Sequence, residues 1–156
     1  MKIIHTLIIL CLSAGLHAQI HFADKTNFAG LGGSLLNNGI SLGDYDNDGL
    51  EDIYVCALNG GPNRLYRNLG HFLFEEVSAQ AGVHYSGTSK VSSWADIDND
   101  GDADLYVGNR DEAGLLYINQ GDGTFTEESS LRGLINNAPA SSVLFSDVNR
   151  DGWLDV

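Results

Sequence analysis

Two cysteines are all that this 156-residue chain contains, and the first, Cys11, lies in a segment that reads as a leader. An exported chain left with the single thiol of Cys56 has no internal disulfide, so something else must staple it. Apolar neighbours, Ile53-Tyr54-Val55 before and Ala57-Leu58 after, make Cys56 a small core side chain rather than a reactive thiol. Basic residues are scarce too: 8 stand against 21 acids, a net charge of -13. Such a chain repels nucleic acid and anionic membranes, which excludes both as partners. No stretch carries a sustained 3.6-residue apolar period bounded by caps, so helix is minor and the fold is all-β.

Long apolar runs are missing as well. Residues 3–12 form an apolar run broken by His5 and Thr6, well short of the roughly 20 residues needed to span a bilayer. With Lys2 before it and Ser13-Ala14-Gly15-Leu16-His17-Ala18 after it, the run reads as a signal peptide at 1–18. The mature chain then begins at Gln19 and acts outside the cytoplasm, without inserting in a membrane. Leu10 precedes Cys11 where a lipid-attachment signal has Gly, Ala or Ser, so a lipoprotein is not expected.

What the chain does have is a repeat. Asp44-Tyr45-Asp46-Asn47-Asp48-Gly49-Leu50-Glu51-Asp52 recurs as Asp96-Ile97-Asp98-Asn99-Asp100-Gly101-Asp102-Ala103-Asp104. It recurs again as Asp147-Val148-Asn149-Arg150-Asp151-Gly152-Trp153-Leu154-Asp155, the starts lying 52 and then 51 residues apart. The flanks repeat with it. Leu42, Trp94 and Phe145 stand two residues before each first Asp, and Ile53-Tyr54-Val55 and Leu105-Tyr106-Val107 follow the last. Leu65-Tyr66-Arg67-Asn68-Leu69-Gly70 matches Leu116-Tyr117-Ile118-Asn119-Gln120-Gly121, while Phe22, Phe74 and Phe125 open a segment that turns at Gly30, Gly82 and Gly133. Units fall at about 19–70, 71–121 and an incomplete 122–156. Each complete unit holds about four short apolar runs separated by Gly, Asn and Asp, as strands and tight turns require. Gly121-Asp122-Gly123-Thr124-Phe125 is predicted to be a hairpin turn feeding a strand. Four strands in about 51 residues fit one propeller blade. The fold is therefore expected to be a partial β-propeller of two to three four-stranded blades.

Acids at positions 1, 3, 5 and 9 of a nonapeptide, with Gly at position 6, form a ligand set for a hard cation. Calcium takes about 6 to 8 oxygens and suits it; magnesium prefers to keep its waters. No His or Cys joins the clusters, so zinc and copper are poorly served. Eleven of the 21 acids occupy these loop positions, where their mutual repulsion should couple cation binding to loop folding. An EF-hand loop wants an acid at position 12 and helices on both sides; Val55 and Val107 stand there in strand-like sequence.

Together these features resemble the FG-GAP or VCBS repeats of integrin-α-like β-propellers, over the whole of 19–156. The second unit carries the likeness most fully: Trp94-Ala95-Asp96-x-Asp98-Asn99-Asp100-Gly101-Asp102-x-Asp104-Leu105-Tyr106-Val107, then Leu116-Tyr117-x-Asn119-x-Gly121-Asp122-Gly123-Thr124-Phe125-x-Glu127. It is most similar in character to the secreted, cartilage-acidic-protein-like members. The resemblance implies one calcium on the side chains of Asp44, Asp46, Asp48 and Asp52 with the Leu50 carbonyl. It implies a second on Asp96, Asp98, Asp100 and Asp104 with the Asp102 carbonyl. The corresponding third set is Asp147, Asn149, Asp151, Trp153 and Asp155, weakened by the charge lost at Asn149 and by the lack of a strand after Val156. Propellers of this kind close with about seven blades, so the chain reads as an N-terminal fragment completed by further blades or by a partner chain.

Other motifs carry less. His21, His71 and His84 adjoin no nucleophile motif, and Gly30-Leu31-Gly32-Gly33 lacks the Lys and helix of a phosphate loop. Tyr54, Tyr66, Tyr106, Tyr117 and Trp94 are expected to fill the space between blades. Residues 59–63 and 109–113, which vary between units, are where partner contacts could lie. The expected function is that of a secreted, calcium-stabilised, non-catalytic module for binding or adhesion to protein or carbohydrate. The alternative is the non-catalytic part of a larger exported enzyme such as a polysaccharide lyase.

Overall fold

The computed structural model describes residues 23–31, 37–134 and 139–156. The leader at 1–18 and the start at Gln19 lie outside them, as do His21, Phe22, Gly32 and Gly33. Two antiparallel sheets follow one another along the chain. The first contains β1 (Asn37–Gly43), β2 (Asp52–Ala57), β3 (Arg64–Asn68) and β4 (Phe74–Glu76), side by side in that order. After a single helical turn, α1 (Ser78–Ala81), the second repeats the arrangement with β5 (Ser89–Ala95), β6 (Asp104–Asn109), β7 (Leu115–Asn119) and β8 (Phe125–Glu127). Even the irregularity is copied: the register shifts between Asn37 and Gly39 in β1 and between Ser89 and Val91 in β5. These all-β sheets agree with a partial β-propeller. In the third copy the only pairing among the described residues is an isolated bridge between Ser146 and Asp155.

The acidic loops join the first two strands of each sheet, so the sheets run out of phase with the sequence units. β4 belongs with β1–β3 although it follows Gly70, and β8 likewise follows Gly121. A period fixes the length of a repeat but not where it is cut; the pairing of hairpin strands fixes that.

Strand alternation then decides which side chains meet. Tyr54 and Cys56 of β2 and Leu65 of β3 point to one side, where they meet Leu105 and Val107 of β6 and Tyr117 of β7. Val77, Ala81 and Val83 close this core along the connection between sheets, with Trp94 packed against it. Trp94 stands edge-on to Tyr54 at 6.4 Å between ring centroids, and Phe125 lies 6.1 Å from Trp94 and 6.0 Å from Tyr45. The hydrophobic core therefore lies between blades, and Cys56 is a fully buried member of it. Burial pushes its thiol up to about 11, which keeps it protonated and unreactive. Tyr106 makes a corresponding edge contact with Phe145 of the third copy.

The inner strands β1 and β5 approach closely enough to need glycine. A Cβ on Gly39 would come within 2.5 Å of the Lys90 carbonyl oxygen, and one on Gly43 within 2.6 Å of the Trp94 ring. Trp94 Nε1 is buried in the same seam without a partner among the described residues, but the buried amides there are paired: Asn63 donates to Ser89 Oγ (2.9 Å) and Tyr54 Oη (3.1 Å), and Ser89 Oγ donates to Asn109 Oδ1 (2.9 Å). The Asn63–Ser89 bond thus ties one blade to the next, with Asn109 bracing Ser89 from within the second. Of the two variable segments, only the stretches between such anchors, including Asn59, Gly60, Asp111 and Glu112, are exposed.

Candidate metal centres

All three acidic loops have the same backbone. Position 4 is left-handed in each, at Asn47 (φ 56°), Asn99 (φ 60°) and Arg150 (φ 65°), and so is the glycine at position 6. Asn tolerates that conformation readily; position 6, with φ between 85° and 96°, needs glycine. The position-1 carboxylate holds the turn shut. Asp44 accepts the N–H groups of Asp48 (3.1 Å) and Gly49 (2.9 Å), Asp96 those of Asp100 and Gly101 (both 3.1 Å), and Asp147 those of Asp151 (3.1 Å) and Gly152 (3.0 Å). At position 5, Asp48, Asp100 and Asp151 each accept the N–H two residues on, at 2.9 Å.

Position 9 pins the loop to the sheet. Asp52 is fully buried and accepts the N–H of Tyr45 (3.2 Å) and that of Asn68 (2.7 Å) at the end of β3. Asp104, equally buried, accepts those of Ile97 and Asn119 (both 2.8 Å). Burial pushes both carboxyls up to about 6 despite these hydrogen bonds, with Asp46 and Asp48 adding to the rise at Asp52 and Asp98 and Asp100 at Asp104. A nearby cation would reverse that pressure.

Carboxylate oxygens converge in two of the loops. One oxygen each from Asp44, Asp46 and Asp48 lie within 4.8 Å of one another, as do those from Asp96, Asp98 and Asp104. Within these clusters Asp46 Oδ1 and Asp98 Oδ1 are buried and lack any hydrogen-bond partner among the described residues. Both stand at position 3. A buried anionic oxygen left bare is costly unless a cation meets it, so the side chains present fit a hard, oxygen-ligated divalent ion.

The chain matches the family model described as FG-GAP-like repeat over residues 44–107 and again over 96–156. It belongs to the FG-GAP-like repeat family. Among curated proteins it is similar to cartilage acidic protein 1 of Homo sapiens, 27% identical over 148 residues, and to that of Mus musculus, 24% identical over 147. Each alignment takes in 86% of this chain but only 22% of the human and 23% of the mouse protein. The chain therefore spans less than a quarter of the length of these relatives.

Each of the two clusters brings together part of its expected ligand set. Asp44, Asp46 and Asp48 come together in the first loop, and Asp96, Asp98 and Asp104 in the second. Asp52 and Asp100 do not share in the respective groupings. The N–H groups of Leu50 and Asp102, the residues expected to contribute carbonyls, donate to Asp48 and Asp100 within the same loops. In the third loop Asn149 donates to Asp151 (3.0 Å), and Asp155 and Trp153 are exposed.

Contacts that sequence reasoning missed join loop to loop. The Asn47 amide donates to Asp102 Oδ1, the Asn99 amide to the Gly152 carbonyl (2.9 Å), and the Asn119 amide to the Tyr45 carbonyl (2.8 Å). The recurring Asn at position 4 of the first two loops was the available signal; its partner sits one repeat away.

Proposed function

We propose that this chain is part of an exported, calcium-binding FG-GAP-like propeller that binds protein or carbohydrate and is not itself catalytic. The observation that carries the reading is the pair of bare, buried oxygens, Asp46 Oδ1 and Asp98 Oδ1, at the same position of two successive loops. Calcium would be held in the first loop by Asp44, Asp46, Asp48 and Asp52 with the Leu50 carbonyl. In the second, Asp96, Asp98, Asp100 and Asp104 would hold it with the Asp102 carbonyl. Its role is structural: it offsets the repulsion among clustered carboxylates and so fixes the loops that join β1 to β2 and β5 to β6.

Location outside the cytoplasm is supported by the leader-like sequence at 1–18 and by similarity to proteins named for cartilage. Among the described residues no helix is long and apolar enough to cross a membrane. Adhesion is the activity to which this reading points, because nothing in the acidic loops resembles a nucleophile with its base, and a calcium-braced scaffold presents its variable loops to a partner.

The test is a calcium titration of the decalcified chain, following bound ion and thermal unfolding together, with magnesium as control. Binding of two ions at micromolar to millimolar affinity with a rise in melting temperature is expected; about 2.7 kcal/mol per site accrues at 100 times Kd. A folded chain that binds no calcium would refute the reading.

A further inference from the structure

Each bare oxygen belongs to a carboxylate whose other oxygen meets an arginine. Arg67 Nε lies 2.7 Å from Asp46 Oδ2, an ion-pair contact not aligned as a hydrogen bond, and its terminal nitrogen lies 3.5 Å from Asp48 Oδ2. In the second loop the terminal nitrogen of Arg132 donates to Asp98 Oδ2 at 3.2 Å, while its Nε donates to Glu128 at 2.9 Å.

The two arginines come from different places in the repeat. Arg67 is in β3, where β7 has Ile118; Arg132 lies just before the turn at Gly133, where the connection after the first sheet has Ala81 before Gly82. Two non-equivalent positions therefore deliver the same group to the same oxygen of equivalent acids. Stability does not account for this well. The arginine side chains are 41% and 33% exposed, and partly solvated pairs of this kind contribute at most about 1 kcal/mol.

We infer that Arg67 and Arg132 are positioning residues for the cation sites, each clamping the outer oxygen of the position-3 carboxylate so that the inner oxygen faces the ion. This rests on the calcium reading above and deepens it. In the third loop position 3 is Asn149, whose amide turns to Asp151 instead; no such clamp is found there among the described residues. Groups that orient a metal ligand from behind typically govern affinity by about 10- to 100-fold.

The experiment compares the full chain with Arg67→Gln, Arg132→Gln and Arg67→Lys. It reads calcium affinity by calorimetric titration, and melting temperature both in chelator and in saturating calcium. Arg67→Gln is expected to weaken one site about tenfold and Arg132→Gln the other, with Arg67→Lys, which keeps the charge but not the fork, between wild type and Arg67→Gln. If Arg67→Gln does not fold, Arg67→Lys carries the test with the same sign. A purely structural arginine would lower the melting temperature equally with and without calcium and leave affinity unchanged, which overturns the inference. Tighter binding in Arg67→Gln also overturns it, since the arginine would then be a competitor for the acids. Wild-type chain that is folded yet binds no calcium overturns the calcium reading and this inference together, whereas unaltered affinity in the variants overturns this inference alone.

Discussion

The second and third acidic loops fold alike and are held differently. Both close on the position-1 Asp, both turn left-handed at positions 4 and 6, and the first residue after each turn donates to the position-5 acid. Yet Asp104 is buried, with one N–H from its own loop and one from Asn119 on β7, whereas Asp155 is exposed and, among the described residues, its side chain accepts only the N–H of Val148. Nine residues are enough to specify the turn. Pinning it to a sheet takes the strands on either side, above all the third strand that supplies the second donor to position 9.

The comparison breaks most sharply at position 9. Asp104→Asn replaces one accepting oxygen with an NH2 group that must face a backbone N–H in a buried site. Loss of one charge-assisted hydrogen bond and the stranding of its donor should cost about 3 kcal/mol. Asp155→Asn, in solvent and with one donor, should stay within about 0.5 kcal/mol. Urea unfolding of both variants in chelator checks this, the ion-free condition separating the hydrogen bonds from any loss of calcium. Equal costs would mean that the loop alone, and not the sheet around it, sets the environment of position 9.

A gentler contrast runs between the first and second sheets. Asn68 and Asn119 occupy the same repeat position, and each bonds its own acidic loop through a carbonyl, Glu51 at 2.9 Å and Ala103 at 3.1 Å. Asn119 also reaches across to the Tyr45 carbonyl of the preceding loop and is buried, while Asn68 is half-buried. Asn119→Ala should therefore cost about 2 kcal/mol against about 1 for Asn68→Ala, read as the difference in urea midpoints at constant slope. Similar values would show that the bond between blades adds nothing to the bond within one.

These residues also mark how far the sequence could be read. Loop positions, the interblade placement of Tyr54, Tyr117 and Trp94, and the hairpin at Gly121–Gly123 follow from period, alternation and turn chemistry, all of them local. The phase of the sheets did not follow, because a repeat carries no mark of where strand pairing begins. Nor did the second role of Asp52 and Asp104: in sequence they are the last acids of a loop, and only folding brings the β3 and β7 ends against them. Asn63 and Ser89 meet only when two blades are stacked. The arginine clamps were hidden for the same reason, each lying 19 or more residues from the loop acids that it meets.

The smallest expected effect lies at the β3–β4 turn, where the two copies differ in backbone as well as in residues. In the second sheet the turn runs through Gly121 and Gly123, with φ of 71° and 82°. In the first, His71 and Phe72 sit at φ 54° and 62°, bracketed by a hydrogen bond from the Leu73 N–H to the Gly70 carbonyl at 2.9 Å. Positive φ at both central residues is the hairpin geometry that favours Asn-Gly, and a side chain with a Cβ is strained there by about 1 kcal/mol or more. Phe72 gains little in return, being 70% exposed. Phe72→Gly relieves the strain but gives the unfolded chain more freedom, at a cost of about 0.5 to 1 kcal/mol. The net should be a stabilisation below about 1 kcal/mol, visible as a small rise in the urea midpoint, and larger than that of Leu73→Gly, which has no positive φ to relieve and should destabilise. If Phe72→Gly destabilises as much as Leu73→Gly, the aromatic ring holds the turn through contacts of its own, and the two hairpins are alike in outline only.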